Sequence, residues 1–113
     1  MEDFNYSCEY STLHHNEYGY VVQCRSCDSY QVTFGNIMLN LLPVEYQTFV
    51  AFIGAQHKKT CKCDERVSKS IYMPTDSRKV SLVFSAEEIQ NLHDILQQAQ
   101  LMQEVYRALK NSN

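Results

Sequence analysis

The apolar pattern of this chain repeats once, and this repeat limits the folds that the sequence can adopt. A shift of 43 residues superimposes two stretches in which strand-like alternation is followed by helix-like spacing. The matched positions are Ile37, Leu39, Leu41, Glu45, Tyr46, Gln47, Phe49, Phe52 and Ile53 over Val80, Leu82, Phe84, Glu88, Ile89, Gln90, Leu92, Ile95 and Leu96. Each stretch predicts a hairpin followed by a helix. Chance is the alternative explanation, because any strand–helix unit shares this rhythm.

The repeat predicts an α+β fold, with a mostly antiparallel sheet of five or six strands and two helices on one face. The alternating runs place strands at 7–13, 19–24, 30–34, 37–41, 71–73 and 80–84. Residues 14–18 supply the first turn, in which Asn16 is the turn-prone residue. Gly35 and Asn36 form a two-residue hairpin turn, since Gly accepts the positive φ that such turns require.

Two helices follow from capping signals and spacing. Pro43 suits the first turn of a helix, which we expect to run to about Gln56. The residues from Ser85 to Glu88 form a capping box, and the helix after it meets no Gly or Pro before the chain ends. It is therefore expected to exceed twenty residues and to pack through its second half on another subunit, giving a homodimer. The alternative is a helix that frays after Gln103.

The length of 113 residues predicts a single domain spanning residues 1–113. Within it, 7–57 hold the first hairpin, the cysteine pair, the second hairpin and a helix, 58–69 form a basic loop, and 70–113 hold the last hairpin and the long helix. No run approaches the ~20 apolar residues of a membrane span, so no membrane association is expected. The first five residues lack a basic region followed by an apolar stretch, so we expect a cytoplasmic protein rather than a secreted one.

The cysteines predict a structural zinc site. Five cysteines are an odd number, and without an export signal they favour thiols or metal ligands over disulfides. Cys24 and Cys27 have the spacing of a zinc knuckle. A first turn centred on Asn16 would place Cys8 directly across from Cys24, about 5 Å away. The fourth ligand is then Cys61 or Cys63, with His57 as a substitute.

Other interpretations of these residues stay open. Free cysteines often are small buried hydrophobes. Cys24 and Cys27 could also form a redox dithiol, although such pairs usually begin a helix and this one precedes a strand-like run. No Gly-rich phosphate loop or nucleophile elbow is present, so no catalytic residue is predicted and an enzyme is the less favoured class.

Charge is concentrated in one segment. Residues 1–57 carry six acids and one base, whereas 58–69 carry five bases and two acids. The net charge of −3 argues against nucleic acid as a partner. The basic segment is expected to be a solvated connector. A regulatory nucleic-acid binder that uses this segment is a further alternative, besides a binding module and a redox protein or small enzyme.

Several of these motifs resemble a family of small uncharacterised bacterial proteins, mainly from the Bacteroidota, classed as a domain of unknown function. The resemblance begins with the early Cys8 and the cysteine pair in Tyr20 to Cys27, and continues through Phe34 to Ile37. It also includes the helix with Glu45, Phe49 and Phe52. The last matching part is Ile71 to Thr75, followed by Leu82 and the Glu-bearing helix from Ser85. It covers about residues 8–100. It implies a bacterial cytosolic protein without a known activity. We therefore expect a binding or adaptor module whose protein partner the sequence does not name.

Overall fold

The computed structural model describes residues 9–62 and 64–111. Its elements, in chain order, are β1 (Tyr10–Asn16), β2 (Gly19–Cys24), β3 (Tyr30–Phe34), β4 (Ile37–Leu41), α1 (Pro43–Thr60), β5 (Ile71–Pro74), β6 (Ser81–Phe84) and α2 (Ala86–Asn111). The α+β class and the antiparallel pairing are confirmed. Neither of these helices is long and apolar enough, within the described residues, to cross a bilayer.

The strands divide into two sheets rather than forming one. β1 to β4 pair in chain order as a four-stranded antiparallel sheet, and β5 pairs with β6 as a separate two-stranded sheet. The six strands and two helices agree with the predicted numbers. The two hairpins of the repeat, β3–β4 and β5–β6, do not pair with each other to form one sheet. This division leaves β4 as an edge strand of the larger sheet.

The first hairpin differs from its prediction in position and register. β1 reaches Asn16, whose side chain accepts hydrogen bonds from the backbone N–H groups of Tyr18 and Gly19 at 2.8 and 3.2 Å. Asn16 therefore begins the turn instead of standing at its centre. A bulge between Thr12 and His14 adds a further residue to β1.

Because of these two changes, Cys24 pairs with Tyr10. The predicted pairing of Cys24 with Cys8 is wrong, and Cys8 itself lies outside the described residues. The hairpin of β3 and β4 agrees with expectation, since Phe34 pairs with Ile37 across a turn in which Gly35 has φ +58°.

The repeat extends to the way in which each helix begins. The Glu45 carboxylate accepts from the N–H of Leu42 at 2.8 Å, and the Glu88 carboxylate accepts from the N–H of Ser85 at 2.9 Å. The predicted capping box of α2 is complete, because the Ser85 hydroxyl accepts from the N–H of Glu88 at 3.1 Å. In each unit of the repeat, a hairpin is thus followed by a helix, and a glutamate at the same position of the unit caps the start of that helix.

Both helices are longer than their amphipathic stretches. α1 continues to Thr60, four residues past the predicted end, and Arg66 donates to the Thr60 carbonyl at 3.2 Å, satisfying an acceptor at its end. α2 has 26 residues and continues beyond Gln103, where fraying was the alternative.

The core lies between the helices and one face of the larger sheet. Its fully or nearly fully buried side chains come from every element except β4: Leu13, Val21, Tyr30, Val32, Phe34, Tyr46, Phe49, Ile53, Ile71, Phe84, Ile89, Leu92, Ile95, Leu96 and Ala99. The rings of Tyr30 and Tyr46 stack with centroids 3.7 Å apart and join β3 to the first turns of α1. The start of α1 therefore lies at the end of the sheet that carries the cysteine pair.

Candidate functional site

The cysteine pair occupies a tight loop between β2 and β3. The Cys24 N–H donates to the Ser29 carbonyl at 2.8 Å, and the Asp28 N–H donates to the Cys24 carbonyl at 3.0 Å. Asp28 closes the loop in the left-handed region at φ +64°, a conformation that Asp adopts more readily than most residues. Cys24 is buried, whereas Cys27 is exposed and its thiol contacts the Ser29 hydroxyl at 3.2 Å.

The other proposed ligands within the described residues lie elsewhere. Cys61 follows the end of α1, and its thiol contacts the Lys58 carbonyl at 3.5 Å. Tyr46, close to the cysteine loop, is separated from Cys61 by nearly the whole helix, about 20 Å at 1.5 Å per residue. In residues 9–62 and 64–111 no three His, Cys, Asp or Glu side chains are grouped to hold a metal ion. Zinc stays a prediction that involves Cys8 and Cys63, both outside these ranges.

His57 takes part in a different contact. Its ring stacks on that of His93 from α2, with centroids 4.0 Å apart and planes 7° from parallel. The His57 Nε2 contacts the Gln90 Oε1 at 3.0 Å, and Gln90 donates its Nε2 to Asp94 at 3.2 Å. Since the Gln90 amide nitrogen donates to Asp94, His57 is the donor to the Gln90 oxygen. The stacked rings of His57 and His93 thus form a direct contact between α1 and α2.

The basic segment forms bonds within the molecule. Lys69 donates to both carboxylate oxygens of Glu88 at 2.7 Å, and Arg66 bonds to the end of α1. The carbonyl of Arg66 also accepts from the N–H of Glu87 at 2.9 Å, in the first turn of α2. Two of the five basic residues therefore hold the segment to both helices, and one of them, Lys69, is paired with a carboxylate.

A groove borders the edge of the larger sheet. It encloses about 770 Å³ between β4, the first turns of α1, and the end of β5 with the turn that follows it. Phe49, Phe52 and Met73 supply apolar surface inside it, and Leu39 and Leu41 contribute from β4. The groove therefore lies where the predicted single sheet is divided.

The rim of the groove is partly apolar and partly acidic. Met38 and Val44 are 51% and 70% exposed and add apolar surface to the rim. The carboxylates at the groove are those of Glu45 and Asp76. Glu45 is engaged in capping α1, whereas Asp76 lies in the exposed turn after β5.

Sequence reasoning did not identify this groove. Its walls combine β4 and the adjacent start of α1 with the end of β5, which comes much later in the chain, so no local motif marks the groove. One signal was available in β4, whose sequence Ile-Met-Leu-Asn-Leu has neither the charges nor the proline that usually protect an edge strand.

The chain matches a family of unknown function, DUF6686, over residues 7–113. It therefore belongs to that family, which confirms the expectation that the chain is a member of a family of unknown function. Neither the search of curated proteins nor the search of solved structures gave a match.

Proposed function

We propose that this protein is a binding or adaptor module that holds an extended segment of a partner protein in the groove beside β4. The observation that carries the proposal is an unprotected edge strand bordering an apolar groove. The segment would pair with the free edge of β4 by main-chain hydrogen bonds, while its alternate side chains enter the groove.

The groove has dimensions that suit such a segment. A strand rises about 3.3 Å per residue, so the five residues of β4 pair with a stretch of similar length. Phe49, Phe52 and Met73 would contact its inward side chains. Asp76 favours a lysine or arginine at the end that reaches the turn after β5. The expected ligand is an extended segment with alternate apolar residues and a basic flank.

The test uses a phage-displayed library of random heptapeptides as the probe. Selection on the full-length protein should enrich sequences of that pattern, and a selected peptide should shift the backbone NMR signals of residues 38–41 and 73–77. Val44→Glu should weaken binding of that peptide by on the order of tenfold, because it places a charge on the apolar rim.

Val67→Glu is the matched control, since Val67 is 74% exposed and does not line the groove. It should leave the affinity unchanged. Failure of the library to enrich any peptide, or equal binding by the wild-type and Val44→Glu proteins, would reject the groove as the binding site.

We also propose that the cysteine loop holds a structural zinc ion through Cys8, Cys24 and Cys27, with Cys63 as the remaining candidate for the fourth ligand. The observation that supports it is the short loop that carries Cys24 and Cys27, closed by two backbone hydrogen bonds. Thiolates at such spacing suit tetrahedral zinc. His57 and Cys61 lie near the end of α1 that is remote from the cysteine loop, and both are in contact with other groups there, so neither is favoured as the fourth ligand.

Zinc content and melting temperature test this second proposal. Protein purified without chelators should contain one zinc ion per chain, and Cys24→Ser should lower both the zinc content and the melting temperature. Cys61→Ser is the control and should retain the metal. Wild-type protein that contains no zinc would eliminate the proposed site.

A further inference from the structure

The last three turns of α2 present large apolar side chains to solvent. The buried residues of this helix end at Ala99, yet the helix continues to Asn111. Five apolar side chains in this extension are between 37% and 63% exposed: Leu101, Met102, Val105, Tyr106 and Leu109. We call this surface the C-terminal stripe.

The C-terminal stripe lies on the side of α2 that points away from α1. Met102, Val105 and Leu109 are separated by three and four residues, so they share one side of the helix. Glu104 and Arg107 lie on the opposite side, where they line a cleft with Gln47 and Ala51 of α1. Glu104 and Arg107 are thereby kept off the stripe, and Lys110 lies at its edge, four residues after Tyr106.

The structure also holds the extension in place. The Tyr106 hydroxyl donates to the Thr12 carbonyl of β1 at 3.1 Å, and the Gln103 amide donates to the side chains of Gln23 and Tyr30. The extension is thus attached to the sheet through its polar groups. Its apolar groups remain exposed on a preformed surface, which lowers the entropic cost of binding.

We propose that the C-terminal stripe is the interface of a homodimer in which two α2 helices pack antiparallel about a twofold axis. A twofold interface must be complementary to itself. With the axis between Val105 and Tyr106, Met102 faces the Leu109 side chain of the second copy, and Val105 faces its Tyr106. These four apolar side chains thus meet one another across the axis, whereas Leu101 faces Lys110 of the second copy at the edge of the interface.

The exposed area agrees with what a dimer needs. The five side chains expose roughly 500 Å² per chain, so mutual burial removes about 1,000 Å² from water, close to the lower bound for a specific interface. A patch of this size is at the upper end of what monomeric proteins leave exposed. Among the described residues, the centre of the stripe from Met102 to Tyr106 carries no charge on its exposed side, which favours a second copy over a partner recognised through ion pairs.

Sedimentation equilibrium of the full chain tests the dimer. The wild type should sediment with twice the 13.2 kDa chain mass. Val105→Glu should raise the dimer dissociation constant on the order of 100-fold or more, because the dimer would bury two unpaired carboxylates next to each other. Leu109→Glu, nearer the chain end and 63% exposed, should act in the same direction and provides a second variant if the first does not fold.

Val67→Glu adds the same charge at an exposed valine outside the stripe and should leave the dimer intact. A wild type that stays monomeric up to several hundred micromolar would overturn the proposal, and so would a folded Leu109→Glu variant that dimerises as the wild type does. This inference does not depend on the groove proposal, since the groove and the stripe share no residue.

Discussion

Two histidine rings meet where α1 packs on α2, and their contact makes stability depend on pH. Burial lowers the pKa of His93 from its ordinary 6.5, the neighbouring His57 lowers it further, and Asp94 opposes these effects only in part. The folded protein therefore binds a proton at His93 less readily than the unfolded chain does. Stability contributed by the neutral ring is present above pH 6.5 and is lost as the pH falls toward the lowered pKa.

We expect His93→Gln to reduce the loss of stability between pH 7.5 and pH 5. Glutamine keeps a polar side chain at the helix contact but cannot take up the proton that weakens the pair. Urea unfolding at the two pH values measures the change in the free energy of unfolding. Gln97→Ala, an exposed position of the same helix, should retain the wild-type pH dependence. Equal losses for the His93→Gln and wild-type proteins would contradict this account.

At the scale of elements, the glycines of β2 and α1 have opposite surroundings. A Cβ added at Gly19 would lie 1.9 Å from the Thr33 carbonyl oxygen, at the end of the pairing between β2 and β3 where Gly19 is opposite Phe34. A Cβ added at Gly54 would meet no atom within 4 Å. The first glycine is needed for close approach of two strands, whereas the second only adds backbone freedom to a helix.

Substitution by alanine should therefore change stability in opposite directions. Gly19→Ala is expected to cost roughly 3 kcal/mol or more, because the backbone of β3 must move away. Gly54→Ala is expected to stabilise the protein by about 0.5–1 kcal/mol, since alanine suits a helix interior better than glycine. Chemical denaturation followed by circular dichroism measures both changes. A neutral Gly19→Ala variant would show that the β2–β3 contact is looser than described.

Two apolar surfaces lie on different elements within the part of the chain that the structure describes. The groove is formed by β4, the first half of α1 and the end of β5, and the C-terminal stripe lies on the last turns of α2. A dimer formed through the stripe would leave both grooves open, so an adaptor of this design could hold two partner segments. That arrangement raises the apparent affinity for partners that carry two such segments.

The two surfaces should respond separately to substitution. Val44→Glu is expected to weaken peptide binding about tenfold while leaving the dimer intact, and Val105→Glu should do the reverse, because the charges lie on unconnected surfaces. Peptide affinity and sedimentation measured on the same two variants test this separation. Loss of both properties in either variant would indicate that the two surfaces are coupled.

Most of the secondary structure follows from local sequence, because it depends on neighbours in the chain. The alternation in 30–41, the glycine turn and the capping box of α2 were each predicted and are each observed. Pro43 predicted the start of α1, whereas its cap by Glu45 became visible only in the structure. These features depend on side chains within four residues of the backbone groups that they satisfy.

The sequence by itself thus determined the α+β class, the order of elements and the family of unknown function. Tertiary structure decided the register of the first hairpin, since the later turn and the bulge together placed Cys24 opposite Tyr10. It also decided the division of the sheet, the groove and the separation of Cys61 from Cys24. These features depend on contacts between residues far apart in the chain, and local patterns do not specify such distances.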